Sequence, residues 1–130
     1  MDIDDFAVFN DTYGHAEGDQ ILRRLVEIIN QSVRDDDQVI RYGGDEFVVL
    51  LKGMDAEGAQ HVAGRIMDNL ALLKGSRWVE PITVSLGIAA MPEHTDDKRQ
   101  LLLMADQAMY QAKELGKNNT RNWSAMVDLA

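Results

Sequence analysis

At 130 residues the chain is long enough for one domain with a sizeable core and too short for two ordinary domains. Its 45% hydrophobic and 27% charged content reads as soluble and globular, and a net charge of -9 excludes the basic footprint that non-specific nucleic-acid binding needs. Disulfides and thiolate metal sites are excluded by the absence of cysteine; no apolar run approaches the roughly 20 residues of a membrane span, and "MDIDDF" lacks the basic start of a secretory signal. A cytoplasmic protein without membrane contact is the expectation. A small anionic ligand stays compatible with this charge, but a polyphosphate would need local neutralisation, for which a divalent cation held by carboxylates is the economical answer.

In chain order, Asp2 to Phe6 reads as a short opening strand with apolar contacts at Ile3 and Phe6. The polar run "NDTYGHAEGD", Asn10 to Asp19, is loop-like, and Asp19 is placed to cap the helix that follows. Apolar residues at Ile21, Leu22, Leu25, Val26, Ile28 and Ile29 recur at helical spacing, which predicts an amphipathic helix over Gln20 to Val33. Gln38 to Arg41 and Glu46 to Leu51 read as a hairpin around Tyr42 to Asp45, with Gly43 and Gly44 supplying turn conformations that other residues enter poorly. A second helix is expected from about Ala56 to Leu73, a strand from Pro81 to Ala89, a turn from Met91 to Asp97, and a third helix from about Arg99 to Leu115 that stops at Gly116. Residues 120–130 read as a peripheral tail from which Trp123 and Val127 can still reach the core.

The order predicts an α/β fold of the α+β plait kind, a mixed and mainly antiparallel sheet flanked by helices, in a single domain over residues 1–130. One difficulty follows. A usable strand has about five residues, yet only Met1 precedes Asp2, so the first strand is read as truncated or completed from elsewhere.

Asp2 and Asp4 share a strand face by their spacing, and Asp45 and Glu46 sit at the hairpin tip. Carboxylates arriving from separate strands can hold a hard divalent cation, with the Ile3 carbonyl as a further oxygen ligand; a solvated turn tip is the bland alternative. Asp19 is either a simple cap or, with Asn10, an acceptor for a guanine edge. Lys113 and Lys117 either meet phosphates or form a solvated edge that complements the helix dipole. His15, His61 and His94 share no ligand spacing, so zinc is not expected.

Four stretches in order now carry a resemblance: "DIDDFAVFNDTYGHAEGD" at Asp2 to Asp19, "RYGGDEF" at Arg41 to Phe47, "VSLGIA" at Val84 to Ala89 and "ADQAMYQAKELGKN" at Ala105 to Asn118. Together they resemble the GGDEF domain, the catalytic domain of bacterial diguanylate cyclases, whose fold is similar to the nucleotidyl cyclase palm. The resemblance implies condensation of two GTP into cyclic di-GMP with release of two pyrophosphates. It implies that Asp2, the Ile3 carbonyl and Asp45 hold Mg²⁺ or Mn²⁺, and that Asp45 and Glu46 are the catalytic acids. Asn10 and Asp19 match guanine-reading positions, Gly43 and Gly44 keep the turn close to the nucleotide, and Lys113 and Lys117 match phosphate-binding positions.

Catalysis in such a family requires a facing homodimer of two domains, each holding one GTP, and dimerisation is usually arranged by an upstream sensory domain. "RDDD", Arg34 to Asp37, matches the inhibitory product-binding site, with Arg65 contributing from a neighbouring helix. This sequence departs from the family pattern at Ala7, where lysine is usual, and in lacking most of the first strand and an upstream helix ahead of Asp2. The alternative is therefore a GGDEF module that binds cyclic di-GMP or GTP without turnover.

Overall fold

A computed structural model describes residues 1–73 and 82–124 of the chain. Its architecture is set by three long amphipathic helices. Helix α2 (His15–Ser32) turns Ile21, Leu22, Leu25, Ile28 and Ile29 inward, and α3 (Ala56–Ala71) meets it with Val62, Ala63, Ile66 and Leu70. Burying each of these larger apolar side chains stabilises the fold by roughly 1.5–3 kcal/mol. Asp55 caps α3 by accepting the Gly58 N–H at 2.8 Å. Helix α4 (Lys98–Glu114) starts at Asp97, which accepts the Arg99 N–H at 2.9 Å.

The end of α4 is fixed by its backbone. Lys117 N donates to Ala112 O at 3.0 Å and Gly116 N to Lys113 O at 3.2 Å, while Gly116 takes φ 114°. This Schellman closure needs a left-handed residue just past the helix, which is why the helix stops at glycine.

The strands are β1 (Asp2–Ile3), β2 (Gln38–Arg41), β3 (Phe47–Leu50), β4 (Val84–Ile88) and β5 (Thr120–Asn122). β4 lies between β1, antiparallel, and β5, parallel; β2 and β3 form an antiparallel hairpin. β1 joins the two groups. Asp2 bridges Glu46, Phe47 N donates to Met1 O at 2.8 Å, and Ile3 N donates to Asp45 O at 3.2 Å.

Helices cover both faces of this mixed sheet, as side-chain alternation along β4 shows. Val84, Leu86 and Ile88 join the core built by α2 and α3. Gly87 faces the other way, where a Cβ would lie 2.0 Å from Ala105 O and 2.3 Å from Met109 N, so α4 lies directly on the strand. Ser85 shares that face and is the register partner of Asp2.

Four expectations are corrected. The opening strand ends at Ile3 and not Phe6, because Asp5 takes φ 56° and Phe6 begins helix α1 (Phe6–Tyr13). The loop expected over Asn10 to Asp19 is instead the end of α1 and the start of α2, divided at Gly14 with φ 93°. Gly14 is consequently the N-cap residue, and Asp19 lies inside α2 with no capping role. The tail also contributes structure, since Thr120–Asn122 forms β5 and Trp123 N donates to Ile88 O at 2.8 Å. Pro81 and Val127 lie outside the described residues.

Candidate active site

The antiparallel register that places Ile3 in the core turns Asp2 toward the C-terminal end of α4. There Lys113 Nζ lies 2.6 Å from Asp2 Oδ2. The other oxygen, Asp2 Oδ1, is buried without a hydrogen-bond partner. Asp45, half-buried on the adjacent turn, is pushed above its usual carboxylate range by burial first, then by the charge of Asp2 and a hydrogen bond to it; Lys113 pulls the other way. A carboxylate from β1 and one from the turn before β3 therefore converge beside one ammonium.

Asp4, two residues along, reaches the same end of α4. Its buried carboxylate accepts Ser85 Oγ at 2.6 Å, Thr83 Oγ1 at 2.7 Å and Asn118 N at 2.9 Å. The bond to Asn118 ties β1 to the turn after α4, where Lys117 and Asn118 both take positive φ. From that turn Lys117 Nζ reaches Asp5 Oδ1 at 2.6 Å, and the carboxylate raises the lysine pKa through its hydrogen bond and charge. Both lysines are paired, Lys113 in a largely enclosed contact and Lys117 in an exposed one. The sequence placed Asp4 on the face of Asp2 by its two-residue spacing but did not indicate its partners Ser85, Thr83 and Asn118.

The glycine turn is held differently from expectation. Gly43 and Gly44 do not take positive φ, and a Cβ on Gly44 would meet nothing, so the conformation does not require glycine. Gly44 leaves bare backbone facing open space, and a Cβ on Gly43 would meet Glu46 Cβ at 3.7 Å. Arg41, another residue sequence reasoning passed over, clamps the turn by donating from Nε to Gly43 O at 3.2 Å and from Nη2 to Gly44 O at 2.8 Å. Glu46 pairs with Asp2 through the backbone and lines the groove between the hairpin and α4. That groove, about 1400 Å³, is walled largely by apolar residues such as Ile40, Val48, Leu50 and Leu102; Asp2, Asp45 and Lys113 are not among its walls.

Asn10 lies where α1 crosses α2. A Cβ on Gly18 would fall 1.8 Å from Asn10 Oδ1, and that oxygen is buried with no partner. The amide oxygen beside Gly18, next in sequence to exposed Asp19, is therefore an unsatisfied acceptor.

On the opposite end of α2, Arg34 and Asp37 close a tight turn. Arg34 donates from Nε and Nη2 to the two Asp37 oxygens, each at 3.2 Å, and from its backbone N at 2.9 Å; Nη2 also reaches the Lys52 carbonyl. The Arg34 hydrogen bond is the main reason the Asp37 carboxyl falls to about 2. Arg65 Nη2 donates to Ser32 O at 2.9 Å, which sets it beside this turn.

The donor set fits magnesium. Among the described residues no cluster of three or more His, Cys, Asp or Glu side chains could cage a metal. Magnesium is commonly held by one or two carboxylates plus substrate phosphates, and the orphaned Asp2 Oδ1 beside Asp45 offers that arrangement.

The mixed sheet covered by helices thus carries one acid on β1, one on the turn before β3 and a lysine in the last turn of α4. The model of the family "Diguanylate cyclase, GGDEF domain" matches residues 1–119, and the chain belongs to that family. It is 41% identical over 122 residues to a probable diguanylate cyclase, DgcT, of Escherichia coli, covering 91% of this chain and 27% of that protein. The GGDEF domain of PA1120 from Pseudomonas aeruginosa superposes with a TM-score of 0.91 at 34% identity, covering 98% of this chain and 76% of that one. The GGDEF domain of DgcB from Caulobacter crescentus, solved with cyclic di-GMP, gives a TM-score of 0.81 at 31% identity, covering 93% and 73%. The chain thus spans about a quarter of the length of DgcT.

Proposed function

We propose that this domain is a diguanylate cyclase that joins two GTP molecules into cyclic di-GMP across a facing homodimer. The observation that carries the reading is the convergence of Asp2 on β1 with Asp45 on the adjacent turn, with Asp2 Oδ1 left without a partner. Asp2, Asp45 and the Ile3 carbonyl would hold Mg²⁺ or Mn²⁺, which when bound neutralises the triphosphate and polarises the α-phosphate. Lys113 and Lys117 bind phosphate oxygens, Asn10 and Asp19 read the guanine edge, and the bare backbone of Gly43 and Gly44 lets the nucleotide approach.

In each half-reaction the 3'-hydroxyl oxygen of one GTP forms a bond to the α-phosphorus of the other. The bond from that phosphorus to the β-phosphate bridging oxygen breaks, and pyrophosphate leaves with the electron pair. Asp45 takes the hydroxyl proton and passes it to solvent, with Glu46 as an additional acid at the same tip. Proximity supplies much of the rate, because each domain presents its nucleotide to the other.

Product binds at Arg34, Asp37 and Arg65 and inhibits. This rests on the exposed Arg34 fork and on the resemblance of the turn to the inhibitory motif. The same turn supports the second reading, a module that binds cyclic di-GMP without turnover. No described helix is long and apolar enough to cross a membrane. An upstream sensory domain that arranges pairing, and a cytoplasmic location, complete the reading.

Chromatography of the chain with GTP and Mg²⁺ tests it. Cyclic di-GMP and pyrophosphate should appear together at a rate that rises faster than linearly with protein. Binding of cyclic di-GMP with no turnover at any protein concentration would favour the second reading.

A further inference from the structure

The lysine that serves the phosphates is parked on an acid that serves the metal. Lys113 Nζ sits 2.6 Å from Asp2 Oδ2, and both side chains are largely enclosed. Lys117, one turn on, pairs instead with Asp5, away from the metal carboxylates and more exposed to solvent. Of the two lysines, Lys113 is the one that contests the position a cation would take.

We infer that Lys113 is a built-in placeholder cation, which holds the metal site against a free divalent ion and yields it only when a nucleotide supplies phosphate for the lysine to move to. The inference rests on the proposed nucleotide site and adds to it a coupling between metal and nucleotide. Like charges at this range repel strongly in a partly enclosed site, so a cation at Asp2 Oδ1 and an ammonium at Asp2 Oδ2 oppose each other. The lysine stem is flexible, and a triphosphate arriving with the cation offers the displaced ammonium a new partner. Free metal is then disfavoured and metal with nucleotide is favoured, and by linkage each tightens the other.

The test is binding of Mn²⁺ alone, read by loss of the free-ion electron paramagnetic resonance signal, with and without a non-hydrolysable GTP analogue. Without nucleotide, Lys113→Gln should bind Mn²⁺ roughly tenfold more tightly than the wild type. Lys113→Arg, which keeps the charge, and Lys117→Gln should match the wild type. The analogue should tighten Mn²⁺ in the wild type far more than in Lys113→Gln. Adding Asp2→Asn to Lys113→Gln should abolish the gain.

Mn²⁺ binding no tighter in Lys113→Gln than in wild type, or equally tightened by Lys117→Gln, overturns the placeholder. Absence of Mn²⁺ binding in all variants, with or without the analogue, removes the metal site itself and the inference with it. Lys113→Met provides the same readout if the glutamine variant folds poorly, as judged by circular dichroism.

Discussion

Asp4 Oδ1 accepts the buried Ser85 hydroxyl at 2.6 Å, linking the first strand to the strand beside it through side chains as well as backbone. The same carboxylate holds Asn118 N, so one buried acid fixes both the strand that carries Asp2 and the turn that carries Lys117. The positions of Asp2 and Lys117 thus depend on a group that hydrogen-bonds to neither side chain.

Asp4→Ala leaves the Ser85, Thr83 and Asn118 donors without their acceptor. Only the Ser85 donor is fully buried, and orphaning such a group costs about 1–3 kcal/mol, so a loss of about 2 kcal/mol is expected in urea unfolding. Asp4→Asn, which keeps an acceptor for Asn118, should lose less. A change below about 1 kcal/mol in the alanine variant would show the network to be dispensable.

At Gly87 the neighbours of an added Cβ are backbone atoms of α4, at 2.0 and 2.3 Å, and cannot rotate away. Gly87→Ala should therefore destabilise by about 1–3 kcal/mol or push α4 off the sheet. Since α4 carries Lys113, turnover should fall alongside the melting temperature. Unchanged stability and turnover would contradict this packing.

Gly18 presents the opposite case. The nearest atom to its added Cβ is the end of the Asn10 side chain, which can swing aside. Gly18→Ala should fold normally, helped by helix propensity, yet lose about tenfold in GTP affinity as Asn10 leaves its place. Calorimetric titration together with thermal unfolding separates the two effects.

Asp37 sets a pH dependence. Its folded carboxyl lies at about 2, below the ordinary 3.8, so the turn contributes stability above pH 3.8 that is lost as pH falls toward 2. In the Arg34→Ala variant that window should flatten, and inhibition by added cyclic di-GMP should be relieved at neutral pH. Retained inhibition would place product elsewhere.

Much of this fold was legible because helical and strand periodicity are local. Ile21 to Ile29, Val62 to Leu70 and the hairpin around Tyr42 to Asp45 each declare their burial within one short window. α1 was not legible, since Asn10, Asp11 and Thr12 read as turn formers. Its anchor is the Phe9–Tyr13 ring pair at 4.8 Å and the docking of α1 on α2. β5 escaped for a related reason: "TRN" has no strand pattern of its own and is ordered by pairing with β4. The acids and lysines stood out by type and spacing. Which acid meets which lysine was not readable, because Asp2 and Lys113 are brought together only by the register of β1 on β4 and the docking of α4 over Gly87.

The most direct test of the account is mass-spectrometric detection of cyclic di-GMP after incubation with GTP and Mg²⁺, comparing the wild type with Asp45→Asn. The account predicts product from the wild type and a loss of at least about a hundredfold in the variant, in keeping with removal of a catalytic acid–base group. No product from the folded wild type at high protein concentration, or equal product from the variant, would contradict it.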